Sequence, residues 1–260
     1  MRSRLIRLAV LLLPSLAWAG GGERVAVPAA AWPWSAVGRV NAVYSWCSGV
    51  LIGPRLVVTA AHCLWNSHTH RPMPPESVHF AAGWDRGEFL DASPVVGYRL
   101  APGWSFAGID TYGPAQAAND WALLDLAKPI GDTVGWVGLG EAPGTGQRVT
   151  TVGYGQDRKH VPTADIGCHL VGRLPAGALV HDCESVHGDS GGPVMVWKDG
   201  APLLVAIHVA SFLLEAGRRG GAVGVGEFAQ AARAGAGKSS RPGPLSKPAD
   251  PALVAKMAGH

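Results

Sequence analysis

The stretch Gly188-Asp189-Ser190-Gly191-Gly192-Pro193 places three glycines within five positions around a single hydroxyl. That composition fits a tight turn with uncovered backbone, because glycine admits positive φ and lets other groups approach the main chain closely. Ser190 Oγ and the N–H groups of Gly188 and Ser190 can then converge on one carbonyl, which is the outline of an acyl-transfer site. A serine hydroxyl is a weak nucleophile near neutral pH, so this reading requires a general base elsewhere and a third group to orient it. A plain Gly-rich loop is the competing reading.

Two upstream stretches supply the missing groups. Thr59-Ala60-Ala61-His62-Cys63 carries a histidine in a helix-compatible run after a short β-rich segment, and Asn119-Asp120-Trp121-Ala122-Leu123-Leu124 carries a carboxylate ahead of a buried apolar run. With the serine turn, these stretches resemble the histidine, aspartate and serine signatures of trypsin-like serine proteases of the chymotrypsin fold. The order His, Asp, Ser separates that fold from the subtilisin and α/β-hydrolase arrangements of the same groups. The resemblance extends over roughly residues 24 to 230. It implies a triad of His62 as base, Asp120 as the group fixing its tautomer and Ser190 as nucleophile, with an oxyanion hole at Gly188 and Ser190.

The resemblance also implies that Asp189 is a buried carboxylate, the group that receives a newly formed N-terminal amine in members made as zymogens. The nearest candidate for such a start, Arg24-Val25-Ala26-Val27, lacks the glycines those members carry, so the activation route stays open. A catalytically silent homologue acting as a binding module is the alternative function. Such homologues usually lose one of the three residues, and none is missing.

Residues 1–19 read as a secretory signal peptide: arginines at the start, an apolar run from Leu8 to Leu13 and a small-x-small end at Ala17-Trp18-Ala19. The apolar run is far shorter than the ~20 residues that span a bilayer. Removing Arg2, Arg4 and Arg7 from the 22 basic residues leaves 19, against 19 acidic ones. That balance argues against nucleic acid or an anionic membrane as partner. The expectation is a secreted or periplasmic monomer acting on protein or peptide substrates, with no cofactor and no metal.

Export places the four cysteines in an oxidising compartment. Of the three pairings, Cys47 with Cys63 and Cys168 with Cys183 would each staple one functional turn, and the first resembles the family's disulfide beside the histidine. No C-x-x-C spacing supports zinc. His68 and His70 form an H-x-H pair in a polar, proline-rich loop, but no further ligand is placed beside them.

The 36 glycines and 20 prolines are spread without a G-X-Y period among short apolar runs, which predicts an all-β chain of many turns. Strands are expected at residues 37–44, 47–52, 56–59, 78–82, 93–100 and 121–126, then at 134–139, 147–154, 168–174, 178–182, 194–197 and 203–209. This count fits two six-stranded antiparallel β-barrels, an N-terminal one over 20–130 with His62 and Asp120 and a C-terminal one over 131–234 with Ser190. A short helix is expected at Phe228 to Arg233. Residues 235–260, rich in Gly, Pro, Ser, Ala and Lys, read as a flexible tail.

Two residues compete for the substrate pocket. Glu184, six before Ser190, stands where trypsin-like enzymes carry the acid that binds Lys or Arg, and His208 resembles the pocket histidine of glutamyl endopeptidases. A pair between them would leave a neutral pocket. The Glu184 register is set by its short distance to Ser190 and favours cleavage after Lys or Arg.

Overall fold

A computed structural model describes residues 22–258 apart from 108, 110, 111, 142 and 143, so the expected signal peptide lies outside the described residues. The chain enters through a short strand, β1 (Glu23–Ala26). Six strands then follow: β2 (Val37–Asn41), β3 (Trp46–Gly53), β4 (Leu56–Thr59), β5 (His79–Ala82), β6 (Asp91–Leu100) and β7 (Ala122–Leu126). They close into an antiparallel barrel in the order β2-β3-β4-β7-β6-β5. β3 and β4 form the hairpin that Gly53-Pro54-Arg55 predicts, with Val50 opposite Val58. β4 and β7 are buried along nearly their whole length, which is why they read as apolar runs; β6 meets solvent on one face, with Val95 buried and Val96 exposed.

The second barrel is built from β8 (Arg148–Gly153), β9 (Thr163–Arg173), β10 (Leu179–His181), β11 (Pro193–Lys198), β12 (Ala201–Leu214) and β13 (Gly217–Gly224). Its order is β9-β8-β11-β12-β13-β10, with β10 returning to β9. β1 adds to the edge of β9, Arg24 opposite Asp165. Val50, Leu124, Val152 and Ile207 belong to one connected apolar cluster, so the two barrels share a core. Trp34, Phe80 and Phe228 are fully buried in it, each contributing roughly 1.5–3 kcal/mol of hydrophobic stabilisation.

Two expectations need correction. Residues 134–139 do not supply a barrel strand; they make only the two-residue pairings Gly135–Trp136 and Gly138–Leu139. The sixth strand of the second barrel is β13, whose Arg and Gly content hides it. Its glycines are required by neighbours: a Cβ at Gly220 would lie 2.0 Å from His181 Cε1, and one at Gly221 would lie 2.4 Å from Phe212 Cε2. The His181 and Phe212 rings fill the space over positions 220 and 221, so these two carry no side chain.

The segment from Gly235 is packed rather than free. Gly237 N–H donates to Ile52 O in the first barrel, Trp136 Nε1 to Ser239 O at 2.9 Å, and Ser240 Oγ to Pro202 O in the second barrel. Arg241–Pro242 pairs with Gly135–Trp136, and Lys247 N–H reaches Ala30 O at 2.7 Å. A closing helix, Pro251–Ala258, buries Met257. Composition misleads here because small residues also suit a segment that must lie flat against another chain surface. The expected helix at 228–233 is the single turn Ala229–Ala232. Among the described residues no helix is long and apolar enough to cross a membrane.

Candidate active site

The register of one strand pair brings the first two candidate groups together. Thr59 at the end of β4 lies opposite Ala122 at the start of β7, so the residues just after β4 face those just before β7. Beyond Thr59 the chain turns through a 3-10 helix, Ala61–Leu64, that carries His62, while Asp120 precedes β7 and is fully buried. Asp120 Oδ1 accepts the His62 backbone N–H at 2.8 Å, and Oδ2 lies 2.6 Å from His62 Nδ1. An ionised carboxylate only accepts, so Nδ1 carries the ring proton and Nε2 keeps its lone pair. Burial pulls the His62 pKa down, but the Asp120 charge and hydrogen bond outweigh it and the net shift is upward.

Tyr112, which the sequence reading did not single out, completes this cluster. Its hydroxyl donates to Asp120 Oδ2 at 2.5 Å, and its ring stands edge-on to His62 with centroids 5.8 Å apart. Burial foremost, then the Asp120 charge, raises the Tyr112 pKa, so the phenol stays a donor. Tyr112 sits in a loop with no periodic pattern, and nothing in its spacing marks it.

The Ser190 turn is held by both barrels. Ser48 of β3 donates its N–H to Ser190 O and its Oγ to Gly188 O, both at 2.8 Å, while Gly191 N–H donates to His208 O at 2.7 Å. Gly188 has φ 97°, and a Cβ there would meet Tyr154 O at 2.4 Å; Gly191 has φ 80°, and a Cβ would meet Thr59 Oγ1 at 2.1 Å. These two glycines are therefore demanded by conformation and by crowding together. Among the described residues no protein acceptor takes the N–H groups of Gly188 and Ser190. Disulfides join Cys47 to Cys63, beside His62, and Cys168 to Cys183, ahead of the serine turn.

His62, Ser190, Tyr112, Glu184 and His208 all line one cleft of about 1100 Å³. Glu184 is exposed, and its backbone is anchored by N–H donation to Asp165 Oδ2 at 2.6 Å. His208 is buried, and its ring partner is His181, with Nδ1 3.1 Å from His181 Nε2, rather than Glu184. Burial lowers the His181 pKa to about 4. Burial, then His181, His62 and Arg24, holds His208 well below its ordinary value. His68 and His70 lie against aromatic rings, Tyr44 at 4.6 Å and Trp65 at 6.4 Å.

The family model described as Trypsin matches residues 21–231. The chain belongs to the trypsin family. Among similar proteins, the glutamyl endopeptidase of Bacillus licheniformis is 27% identical over 196 residues, covering 68% of this chain and 55% of that protein. Coagulation factor XII of Cavia porcellus is 31% identical over 196 residues, covering 60% of this chain and 30% of that protein. The chain thus spans little more than half the length of the first of these relatives and under a third of the second. A solved Glu endopeptidase in complex with MPD superposes with a TM-score of 0.66 at 19% identity, over 84% of this chain and 98% of that one. That likeness shows the chymotrypsin fold. The trypsin-family fold accounts for the architecture at the cleft, where one barrel contributes the histidine and carboxylate and the other the serine turn.

Proposed function

We propose that the protein is an exported serine endopeptidase in which Ser190 is the nucleophile, His62 the general base and Asp120 the group that orients it. The observation that carries the reading is the His62–Asp120 pair, 2.6 Å apart, opening on the same cleft as the Ser190 turn. Ser190 Oγ attacks the scissile carbonyl carbon as His62 Nε2 takes the hydroxyl proton, and the carbonyl oxygen becomes an oxyanion facing the N–H groups of Gly188 and Ser190. Collapse breaks the C–N bond, and His62 passes its proton to the leaving amine. Water then attacks the acyl-enzyme by the same route and releases the acid. Asp120 stays ionised throughout and stabilises the imidazolium. The paired disulfides support an oxidising compartment for this work.

For the residue before the cut bond, the reading is Lys or Arg, met by the exposed carboxylate of Glu184. Preference for Glu, as in the name of the Bacillus licheniformis relative, would need a cation at the cleft, and burial first and His181 next oppose protonation of His208. Arg218, also on the cleft, is the cation that would reverse this preference.

Incubation with a fluorophosphonate probe and a mixed peptide library tests both statements. Labelling is expected in the native protein and absent in a folded Ser190→Ala variant, and labelling that persists without Ser190 refutes the assignment. Cleavage is expected after Lys and Arg and lost in Glu184→Gln; enrichment of Glu before the cut bond would overturn the Glu184 reading.

A further inference from the structure

Asp189, next to the nucleophile, is a buried carboxylate 6% exposed, and a buried carboxylate needs a partner of opposite charge. Its partner comes from the far end of the sequence. Arg24 on β1 is an edge-strand residue, yet its side chain is only 9% exposed because it turns inward beneath the cleft. Its Nη2 lies 3.0 Å from Asp189 Oδ2 and 3.1 Å from Asp157 Oδ1, and its Nη1 donates to Glu184 O at 3.2 Å. One guanidinium therefore ties the nucleophile turn to the wall of the substrate pocket. Asp189 Oδ2 also accepts the Val186 N–H at 3.0 Å, and Asp189 N–H donates back to Val186 O, so the carboxylate closes the loop that presents Gly188.

The surroundings are shaped to this arginine. A Cβ at Gly155 would come within 2.6 Å of Arg24 Nη2, and one at Gly153 within 2.5 Å of Asp189 Oδ1. Beside the pair the open space is a cavity of about 10 Å³ lined by Arg24, Asp189, Thr163 and His208. That volume is near the ~10–15 Å³ that holds one water and far too small for the end of a polypeptide chain. Arg24 already faces Asp189 Oδ2, Oδ1 has no hydrogen-bond partner among the described residues, and the space beside the pair suits a water rather than a chain end.

We propose that Arg24 is a positioning residue that locks the oxyanion-forming turn through Asp189, so that the site assembles without an α-amino group being delivered to that carboxylate. The inference rests on the reading of Ser190 as nucleophile. Arginine suits the task because its planar fork donates in several fixed directions at once, which a lysine ammonium does not reproduce.

The exported protein, Arg24→Gln, Arg24→Lys and Arg24→Ala are compared by fluorophosphonate labelling rate, by kcat and KM on a peptide substrate, and by hydrogen exchange over residues 186–192. Arg24→Gln should label and turn over about 100-fold more slowly, the scale of losing an oxyanion donor, with kcat carrying the larger share. Exchange should quicken in the turn and not in the barrel strands. Added guanidinium ion should restore part of the activity of Arg24→Ala, and Arg24→Lys should recover less than the native rate. Native labelling with native exchange in Arg24→Gln would overturn the proposal.

A second arm does not depend on any variant folding. Fusing a neutral peptide ahead of Gly20 removes the mature amino group from any role, and the proposal expects the native labelling rate. Loss of labelling in that fusion, with strand exchange unchanged, refutes it. If the native protein itself never labels, the protease reading fails, while the exchange comparison still judges whether Arg24 holds the turn.

Discussion

Asp120 accepts from three donors, the His62 backbone N–H, His62 Nδ1 and the Tyr112 hydroxyl, and two of these converge on the same oxygen. Tyr112 therefore draws off part of the carboxylate charge that would otherwise act on His62. With His62 as the proposed general base, which must be neutral to act, kcat/KM should fall as pH drops through the His62 pKa, which lies above the ~6.5 of a free ring. In Tyr112→Phe the carboxylate has one donor fewer and stabilises the imidazolium more strongly, so the acid limb should move to higher pH. The hydroxyl also fixes the orientation of the carboxylate against His62, and its loss should lower the rate plateau roughly tenfold, ~1.4 kcal/mol in the barrier, in spite of the stronger charge. A pH–rate profile whose acid limb stays in place or moves down would show that the hydroxyl does not act on the His62–Asp120 pair.

At the scale of elements, β13 shows how a strand can be formed by its neighbours. Its glycines at 220 and 221 lie against the rings of His181 and Phe212. Gly220→Ala should press a methyl group into the His181 ring from a backbone fixed on both sides, destabilising the fold by ~1–3 kcal/mol as other overpacked sites do. Urea denaturation measures this, and an unchanged midpoint would mean that the ring has room to move. His181 also contacts His208 at the pocket, so the same substitution joins stability to the cleft. The hairpin of β3 and β4, by contrast, was legible from Gly53-Pro54-Arg55 alone, because a turn signal and its flanking runs are local.

Across the whole molecule, the C-terminal segment bonds to the first barrel at Ile52, to the lead-in at Ala30, to the inter-barrel stretch at Trp136 and to the second barrel at Pro202. It straps the two barrels whose junction forms the cleft. Removing residues 235–260 should lower the thermal midpoint by at least ~5 °C, corresponding to ~2 kcal/mol in a domain of this size. Differential scanning calorimetry of the truncated protein tests this, and a midpoint equal to that of the full chain would return the segment to a free tail.

The sequence by itself determined the parts of this protein that depend on local chemistry. A serine between glycines was readable from its own conformational demand, while the histidine beside a cysteine and the aspartate ahead of an apolar run were singled out by their resemblance to a family's motifs. The alternation of short apolar runs with glycine and proline likewise announced an all-β chain. Only the tertiary structure decided that Arg24 meets Asp189, that Ser48 anchors the Ser190 turn, that Tyr112 reaches Asp120 and that His208 pairs with His181. These partners lie far apart in sequence or in patternless loops, and their meeting depends on barrel closure and strand register, which no local window encodes. The docking of the tail was hidden for the same reason: small residues look flexible in isolation, and become ordered only against a surface that the rest of the fold creates.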